Sequence, residues 1–283
     1  MTTTATDARV GVSTITFRFR PLDEALRLIA GLGAVEVDLG AIPAVTDHVP
    51  VPYGDDPSAL LHLLQQNGLR AGAVNADVGD LNDPDYSWEA LSQLATPLVE
   101  LAAAVGGALI VPCGRASYEP FVDVESDLTR IVDNLARLSR LASDRGVRLL
   151  VEVLHHKRFV HSVARADEVL DALSQEQIGL LLDVSHVVAS DEEPAAWAAR
   201  RVDRIERVHL RDAVPGDLNL GIGRGVVDFA AVITTLERGG FDGSYILELE
   251  THDVAEDERE ADARRSRELV LNLVRGAAAE GAA

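Results

Sequence analysis

Short apolar runs alternate with longer amphipathic runs from one end of the chain to the other, and this alternation restricts the possible folds most. The short runs are continuously apolar and rich in β-branched residues. Strands that are covered on both faces have this character, as in parallel sheets. The predicted strands are Arg9–Phe17, Ala34–Leu39, Arg70–Ala76, Ala108–Pro112, Val147–Leu154, Ile178–Val184, Ile205–Leu210 and Ser244–Glu250.

The longer runs between these strands have the periodicity of helices that pack on one side. Leu128, Ile131, Leu135, Leu138 and Leu141, for example, recur three and four positions apart and form one apolar stripe. The predicted helices are Leu22–Gly31, Pro57–Asn67, Trp88–Val105, Val124–Arg145, Ala166–Leu173, Pro194–Arg200, Asp228–Arg238 and Glu256–Arg275.

Several predicted helices end at a glycine that directly precedes the next strand, which is typical of short helix-to-strand loops. These glycines are Gly33, Gly68, Gly106, Gly146 and Gly240. No linker or change in composition divides the chain of 283 residues. Eight consecutive β/α units of this length predict a single (β/α)₈ TIM barrel over residues 8–283, after a disordered segment 1–7. An open doubly wound sheet is less favoured, because it usually has a glycine-rich loop after its first strand.

Composition excludes some partners and compartments. The formal net charge of −20 opposes nucleic-acid binding, which depends largely on cationic contacts. The charge fits a small neutral substrate or a divalent cation held by carboxylates, although solubility alone would also explain it. A single cysteine, Cys113, allows no internal disulfide and indicates a cytoplasmic protein. No apolar run is long enough to span a membrane, and residues 1–7 lack the features of a signal peptide.

The last four predicted strands each carry an acid or a histidine inside an otherwise apolar run. These residues are Glu152, Asp183, His209 and Glu248. The carboxyl ends of barrel strands converge on one cavity, and buried carboxylates are costly unless a positive charge balances them. Each residue alone is more often an ion-pair or core residue, but the four together favour a bound cation. Three oxygens and one imidazole suit Mn²⁺, Mg²⁺, Co²⁺ or Zn²⁺.

Four motifs carry a resemblance to a known family. They are Leu182-Asp183-Val-Ser-His186, Val208-His209-Leu-Arg-Asp212, Gly221-Ile-Gly223-Arg-Gly225-Val-Val-Asp228-Phe229 and Gly243-Ser-Tyr-Ile-Leu-Glu248. Over nearly its whole length the chain resembles the xylose isomerase-like TIM barrels, which include sugar isomerases, ketose 3-epimerases, inosose dehydratases and type-two apurinic endonucleases. The resemblance implies one divalent metal ion, with Mn²⁺ as first choice, bound by Glu152, Asp183, His209 and Glu248. Glu250 points the same way as Glu248 along the strand and stays an alternative ligand.

The resemblance also implies a function and further site residues. In the family's isomerases and epimerases the metal polarises a carbonyl, and two ligand glutamates move the proton of the adjacent carbon. Glu152 and Glu248 would take these catalytic roles here. The expected substrate-binding residues are His186, His155, Arg211, Arg224 and Glu250.

Three other functions remain open at this point. A metal-dependent lyase would act on a keto-sugar or keto-inositol, as inosose dehydratases do, or on a keto-glycoside, as C-glycoside deglycosidases do. A non-catalytic sugar-binding subunit would keep the barrel without turnover. Repair of abasic DNA is disfavoured by the negative charge and the small number of histidines. The expected partner is a small sugar, polyol or keto-glycoside, and pairing into a homo-oligomer is compatible with the sequence.

Overall fold

The computed structural model describes residues 5–43 and 45–281. Its parallel strands are β1 (Val10–Ser13), β2 (Glu36–Ala41), β3 (Arg70–Ala76), β4 (Ala108–Pro112), β5 (Leu149–Glu152), β6 (Gly179–Asp183), β7 (Ile205–Leu210) and β10 (Ser244–Leu247). They close into one barrel in the order β1-β10-β7-β6-β5-β4-β3-β2. The structure confirms the predicted single (β/α)₈ barrel.

Helices follow the barrel strands and cover their outer faces. They are α1 (Leu22–Gly31), α2 (Ser58–Gln66), α3 (Trp88–Val105), α4 (Val124–Ser143), α5 (Val163–Ala172), α6 (Val184–Ala189), α7 (Pro194–Arg201), α8 (Phe229–Arg238) and α9 (Arg259–Gly281). None of the helices in the described part of the chain combines the length and the apolar character needed to cross a membrane.

Glycines end several of these helices as the sequence predicts. Gly33, Gly68, Gly106, Gly146 and Gly240 all have positive φ angles, between 65° and 83°. Side chains are strained in this left-handed region, so glycine allows the chain to turn sharply from each helix into the next strand.

The first strand is shorter than predicted, because a helical turn replaces its second half. The backbone N–H of Ile15 donates to Ser13 Oγ at 3.3 Å, and this cap starts a 3₁₀ turn over Thr14–Phe17. The turn leaves Ser13 as the last residue of β1, at the edge where the site lies. Most of the predicted disordered segment lies outside the described residues, in residues 1–4; Asp7 begins a short 3₁₀ turn, Asp7–Arg9.

One helix and one hairpin were not predicted from the sequence. The short helix α6 follows β6 without a loop, since Asp183 Oδ1 accepts hydrogen bonds from the backbone N–H groups of Ser185 at 2.8 Å and His186 at 3.4 Å and thereby caps the helix. The other is an antiparallel hairpin of β8 (Asp212–Val214) and β9 (Asp217–Leu220).

The interior of the barrel is apolar on one side and charged on the other. Ala73, Ile110, Leu150 and Leu181, from the consecutive strands β3 to β6, form a small apolar cluster that is separate from the main core. The opposite side carries ionic side chains, namely Glu36 and Asp38 on β2 and Arg207 and His209 on β7. The main core lies outside the barrel, between the strands and the helices.

Leu135 tests the packing of this outer core. The side chain is fully buried on α4, so Leu135→Ala should lower the free energy of unfolding by ~2–5 kcal/mol through lost burial and a residual cavity. Leu269→Ala on α9, where the side chain is 41% exposed, should cost less than ~1 kcal/mol. Chemical denaturation of both variants measures the difference. Equal losses would contradict the assigned packing.

Candidate metal and substrate site

A cavity of about 260 Å³ opens at the carboxyl ends of the barrel strands. Most residues of its wall are polar or charged types, and they come from the barrel strands and the loops that follow them. The lining residues are Ile15, Ile42, Val45, Asn75, Asp77, Pro112, Ala116, Glu152, His155, His156, Lys157, Arg158, His186, Arg211, Leu218, Asn219, Glu248 and Glu250. This is the position of the active site in barrels of this architecture.

Asp183, His209 and Glu248 form a buried group with metal-ligand geometry. One ligand atom of each residue lies within 4.8 Å of the corresponding atoms of the other two. Glu248 Oε2 is 3.3 Å from His209 Nδ1. The three residues come from β6, β7 and the residue just after β10, so the barrel brings together three of the four predicted ligands.

Hydrogen bonds hold one side-chain atom of each of these ligands from outside the group. Glu248 Oε1 accepts from Ser13 Oγ at 3.3 Å and from Asn75 Nδ2 at 3.2 Å. His209 Nε2 donates to Asp38 Oδ2 at 3.0 Å. Ligands held from behind in this way keep the ring or carboxylate oriented toward a metal.

Asp183 is held in the same manner by the start of α6. Its Oδ1 accepts from the backbone N–H of Ser185 at 2.8 Å and from the Ser185 hydroxyl at 2.6 Å. The other oxygen, Oδ2, faces Arg211 Nη2 at 3.2 Å. The orienting bonds therefore leave His209 Nδ1 and Glu248 Oε2 directed at each other, whereas Asp183 Oδ2 accepts from Arg211.

Glu152, the fourth predicted ligand, lies in a second group with His155 and His186. Glu152 Oε1 is 3.4 Å from His186 Nε2, and Glu152 Oε2 is 3.9 Å from His155 Nε2. The two imidazole rings are tilted against each other, with centroids 3.8 Å apart. The structure thus places Glu152 beside histidines rather than in the same tight group as Asp183.

The hydrogen bonds of the two histidines fix complementary tautomers. His186 Nδ1 accepts from the backbone N–H of His156 at 3.0 Å, so in the neutral ring its Nε2 carries the proton. His155 Nδ1 donates to the carbonyl of His156 at 2.8 Å, so its Nε2 carries a lone pair. Burial holds the pKa of both rings well below the ordinary value, and both are neutral near pH 7.

Three buried atoms of the site have no hydrogen-bond partner among the described residues. They are His209 Nδ1, Glu152 Oε1 and, in the cavity wall, Asn219 Oδ1. Burial raises the pKa of Glu152, and Asp183 and Glu248 raise it further, to about 8. Burial opposes protonation of His209, but Glu248 and Asp38 outweigh it and raise the pKa to about 10. Buried carboxylates that hold protons near neutral pH in this way fit a divalent cation, which would take the place of the protons.

Arg211 and Glu250 lie beside the ligands, whereas Arg224 does not. Arg211 is fully buried, and its guanidinium contacts Asp183 and also Glu250 Oε2, the latter at 3.5 Å. Glu250 lines the cavity but is absent from the metal-like groups, so Glu248 is the better ligand. The Arg224 side chain is 41% exposed and pairs with Asp253 at 3.4 Å, outside the cavity.

The orienting residues Ser13, Asp38 and Asn75 were not identified from the sequence as partners of the ligands. Their signal is faint, since each is one polar residue near the end of an apolar strand. Ser13 ends β1, and Asn75 lies one residue before the end of β3, where side chains converge on the cavity.

A model of the xylose isomerase-like TIM barrel family matches residues 25–273. The chain belongs to this family. An inosose dehydratase of Geobacillus thermodenitrificans is 27% identical over 150 residues, which cover 46% of this chain and 49% of that protein. The chain spans about half the length of the curated relatives that it matches.

Solved structures share the family fold at low sequence identity. A zinc-bound IOLI protein is 18% identical, with a TM-score of 0.77 over 93% of this chain and 98% of that one. An L-ribulose 3-epimerase is 16% identical, with a TM-score of 0.78 over 96% of each chain. At these identities the likeness shows the fold alone, a closed (β/α)₈ barrel.

The ligand group predicts metal content in this family member. Purified protein should bind one divalent ion per chain, and Asp183→Asn and His209→Ala should each lower metal content because each removes a ligand atom. Elemental analysis after dialysis against Mn²⁺ measures the content. The exposed Asp242→Asn is the matched control and should bind like the native protein. Unchanged metal content in both ligand variants would remove this site.

The raised pKa values predict that metal binding releases protons. The pKa of Glu152 is about 8 and that of His209 is about 10. Both values lie above pH 7, so both groups are protonated in the metal-free protein at that pH. Binding of Mn²⁺ should therefore release protons, and the apparent affinity should rise as the pH approaches and passes 8. Calorimetric titration in two buffers of different ionisation enthalpy counts the protons. A binding heat that is independent of the buffer would contradict this prediction.

Proposed function

We propose that the protein is a divalent-metal-dependent isomerase or epimerase of sugars or polyols that removes a proton next to a carbonyl. The observation that carries the proposal is the convergence of Asp183, His209 and Glu248 on one buried point, with Glu152 facing the same cavity. Mixed oxygen and nitrogen donors fit Mn²⁺ best, with Mg²⁺, Co²⁺ or Zn²⁺ as alternatives. The zinc in the IOLI protein supports a divalent ion.

Two carboxylates are available to move the proton. A divalent cation in this site supplies Lewis-acid polarisation of a substrate carbonyl, which acidifies the adjacent C–H group. Glu152 faces the cavity and its Oε1 has no hydrogen-bond partner in the described structure, which fits a base that takes up and returns a proton. Glu248 is held by Ser13 and Asn75, so its second oxygen stays directed at the site. Glutamates from different strands can reach different faces of one carbon, which epimerisation requires.

The rest of the wall can bind hydroxyl groups. His186 Nε2–H is a donor and His155 Nε2 is an acceptor, and both rings line the cavity beside Glu152. Arg211 adds a buried cation, and Glu250 adds an acceptor at its side. Alternating donors and acceptors match the hydroxyl pattern of a polyol, and the cavity is close to the ~300 Å³ lower end of small-molecule sites.

A lyase is the second candidate, and two observations favour it. Curated relatives that are 27% and 28% identical to this chain are named inosose dehydratases. Elimination from a ketone also needs a proton donor for the departing hydroxyl, and His186 Nε2–H lies 3.4 Å from Glu152 Oε1. The first step, removal of the proton beside the carbonyl, is common to both reactions.

Exchange of substrate hydrogen with solvent tests the shared step. Metal-loaded protein should incorporate deuterium from D₂O at one carbon of an accepted ketose or inosose, and Glu152→Gln should slow this ~10²–10⁴-fold because the amide cannot take the proton. NMR measures the exchange and also distinguishes an epimer or isomer from a dehydrated product.

The exposed Glu119→Gln is the matched control and should exchange at the native rate. Glu152→Gln that still binds metal and exchanges at the native rate would refute the acid–base role of Glu152. Metal-loaded native protein that binds a sugar without any exchange would instead indicate a non-catalytic sugar-binding subunit.

A further inference from the structure

A chain of ionic side chains crosses the barrel interior beneath the metal-ligand group. Glu36 and Asp38 on β2, and Arg207 and His209 on β7, are spaced two residues apart, so each pair faces the same side of its strand. In the barrel β1 and β10 lie between β2 and β7. The contacts between these pairs therefore span the interior instead of joining neighbouring strands.

The contacts are short and fully enclosed. Arg207 Nε donates to Asp38 Oδ2 at 2.7 Å, and Arg207 Nη2 donates to Asp38 Oδ1 at 2.6 Å and to Glu36 Oε1 at 2.6 Å. Asp38 and His209 are 0% exposed, and Arg207 is 6% exposed. The two parallel bonds between guanidinium and carboxylate fix both the position and the plane of the Asp38 carboxylate.

Asp38 in turn determines which nitrogen of His209 is free. With both of its oxygens bound by Arg207, Asp38 accepts the Nε2–H of His209 at 3.0 Å. Burial alone would raise the pKa of Asp38, but Arg207 and His209 outweigh it and lower the pKa, so the acceptor stays ionised. His209 Nδ1 is thereby left as the atom without a hydrogen-bond partner in the described structure, on the side of Asp183 and Glu248.

The neighbouring strand leaves room for this arginine. A Cβ at position 72, in the middle of β3, would collide with Arg207 Nη2 and with the carboxylate of Glu36. Glycine weakens the interior of a strand, and it occurs where another group must approach closely. Gly72 thus accommodates the Arg207 guanidinium.

We infer that Arg207 is a positioning residue for the metal site: it holds Asp38 so that His209 presents Nδ1 to the ion. This inference rests on the proposed metal-dependent function. Glu36 acts behind Arg207 as its second partner, and Arg70 pairs with Glu36 from the exposed end of β3. The metal affinity is therefore set partly by residues that touch neither the metal nor the substrate.

Metal affinity in variants of the full chain tests the inference. Calorimetric titration of metal-free protein with Mn²⁺ should show binding ~10–100-fold weaker in Arg207→Met, as when the outer partners of a metal-ligating histidine are lost. Arg207→Lys should lose less, since it keeps the charge but not the paired bonds. Gly72→Ala should also weaken binding, because its methyl group displaces Arg207.

The matched control is another buried arginine. Arg204 is 9% exposed and donates to the carbonyls of Leu170 and Ile178, away from the site, so Arg204→Met should lower stability without changing metal affinity. Denaturation of each metal-free variant separates the two effects. If Arg207 acts through Asp38, the double variant Asp38→Asn/Arg207→Met should bind metal no more weakly than the weaker single variant.

Each result decides the inference. Metal affinity of folded Arg207→Met within twofold of the native value would overturn it and leave the proposed function standing. If Arg207→Met does not fold, native affinity in both Arg207→Lys and Gly72→Ala would overturn it equally. A native protein that binds no metal would overturn the inference together with the metal-dependent function.

Discussion

The carboxylates of Glu152, Asp183 and Glu248 are buried at the same end of the barrel, and the rest of the site depends on how their charge is balanced. Arg211 is the one arginine in the described part of the chain that forms an ion pair with any of them, through Asp183. In the metal-free protein, bound protons balance the remaining negative charge, in line with the raised pKa values of Glu152 and His209. A cation of charge two removes the need for these protons, so the same burial that disfavours the empty carboxylates favours the loaded site.

The ligands and most of the residues that orient them come from different halves of the barrel. The ligand atoms come from β6, β7 and the end of β10, and Glu152 ends β5. The groups that orient them come from the first three strands: Ser13 and Asn75 on Glu248, and Asp38 on His209. Because the closed sheet brings early and late strands to one axis, Glu248 and His209 are each held by a residue more than a hundred positions away in the chain, whereas Asp183 is held locally by Ser185. This construction explains why the site needs the whole barrel.

The sequence predicts the barrel well because its signals are local. Apolar runs, helical periodicity and glycine caps each report on a few consecutive residues, and acids inside apolar runs marked the strand ends at Asp183 and Glu248. The helix α6 was missed since Val184-Ser-His-Val-Val-Ala189 is as β-branched as a strand, and its helical start depends on the Asp183 side chain. The ion pair of Arg207 with Asp38 joins strands that are not neighbours, so no local pattern reports it. Arg224 lies within a motif that resembles the family, but in the structure its side chain pairs with Asp253 outside the cavity.

The choice between isomerisation and elimination depends on the cavity groups that bind the substrate hydroxyls more than on the metal ligands. Removal of the proton beside a carbonyl leaves an enediolate-like species that can be reprotonated or can expel a β-hydroxyl group. Reprotonation needs only a protonated glutamate, and under the proposed function the glutamate that removed the proton provides it. Expulsion needs a donor at the departing oxygen, and neutral His186 holds its proton on the nitrogen that faces the cavity. Under the proposed function, we therefore expect dehydration of a substrate whose β-hydroxyl group lies over His186 and isomerisation of one whose β-hydroxyl group lies elsewhere.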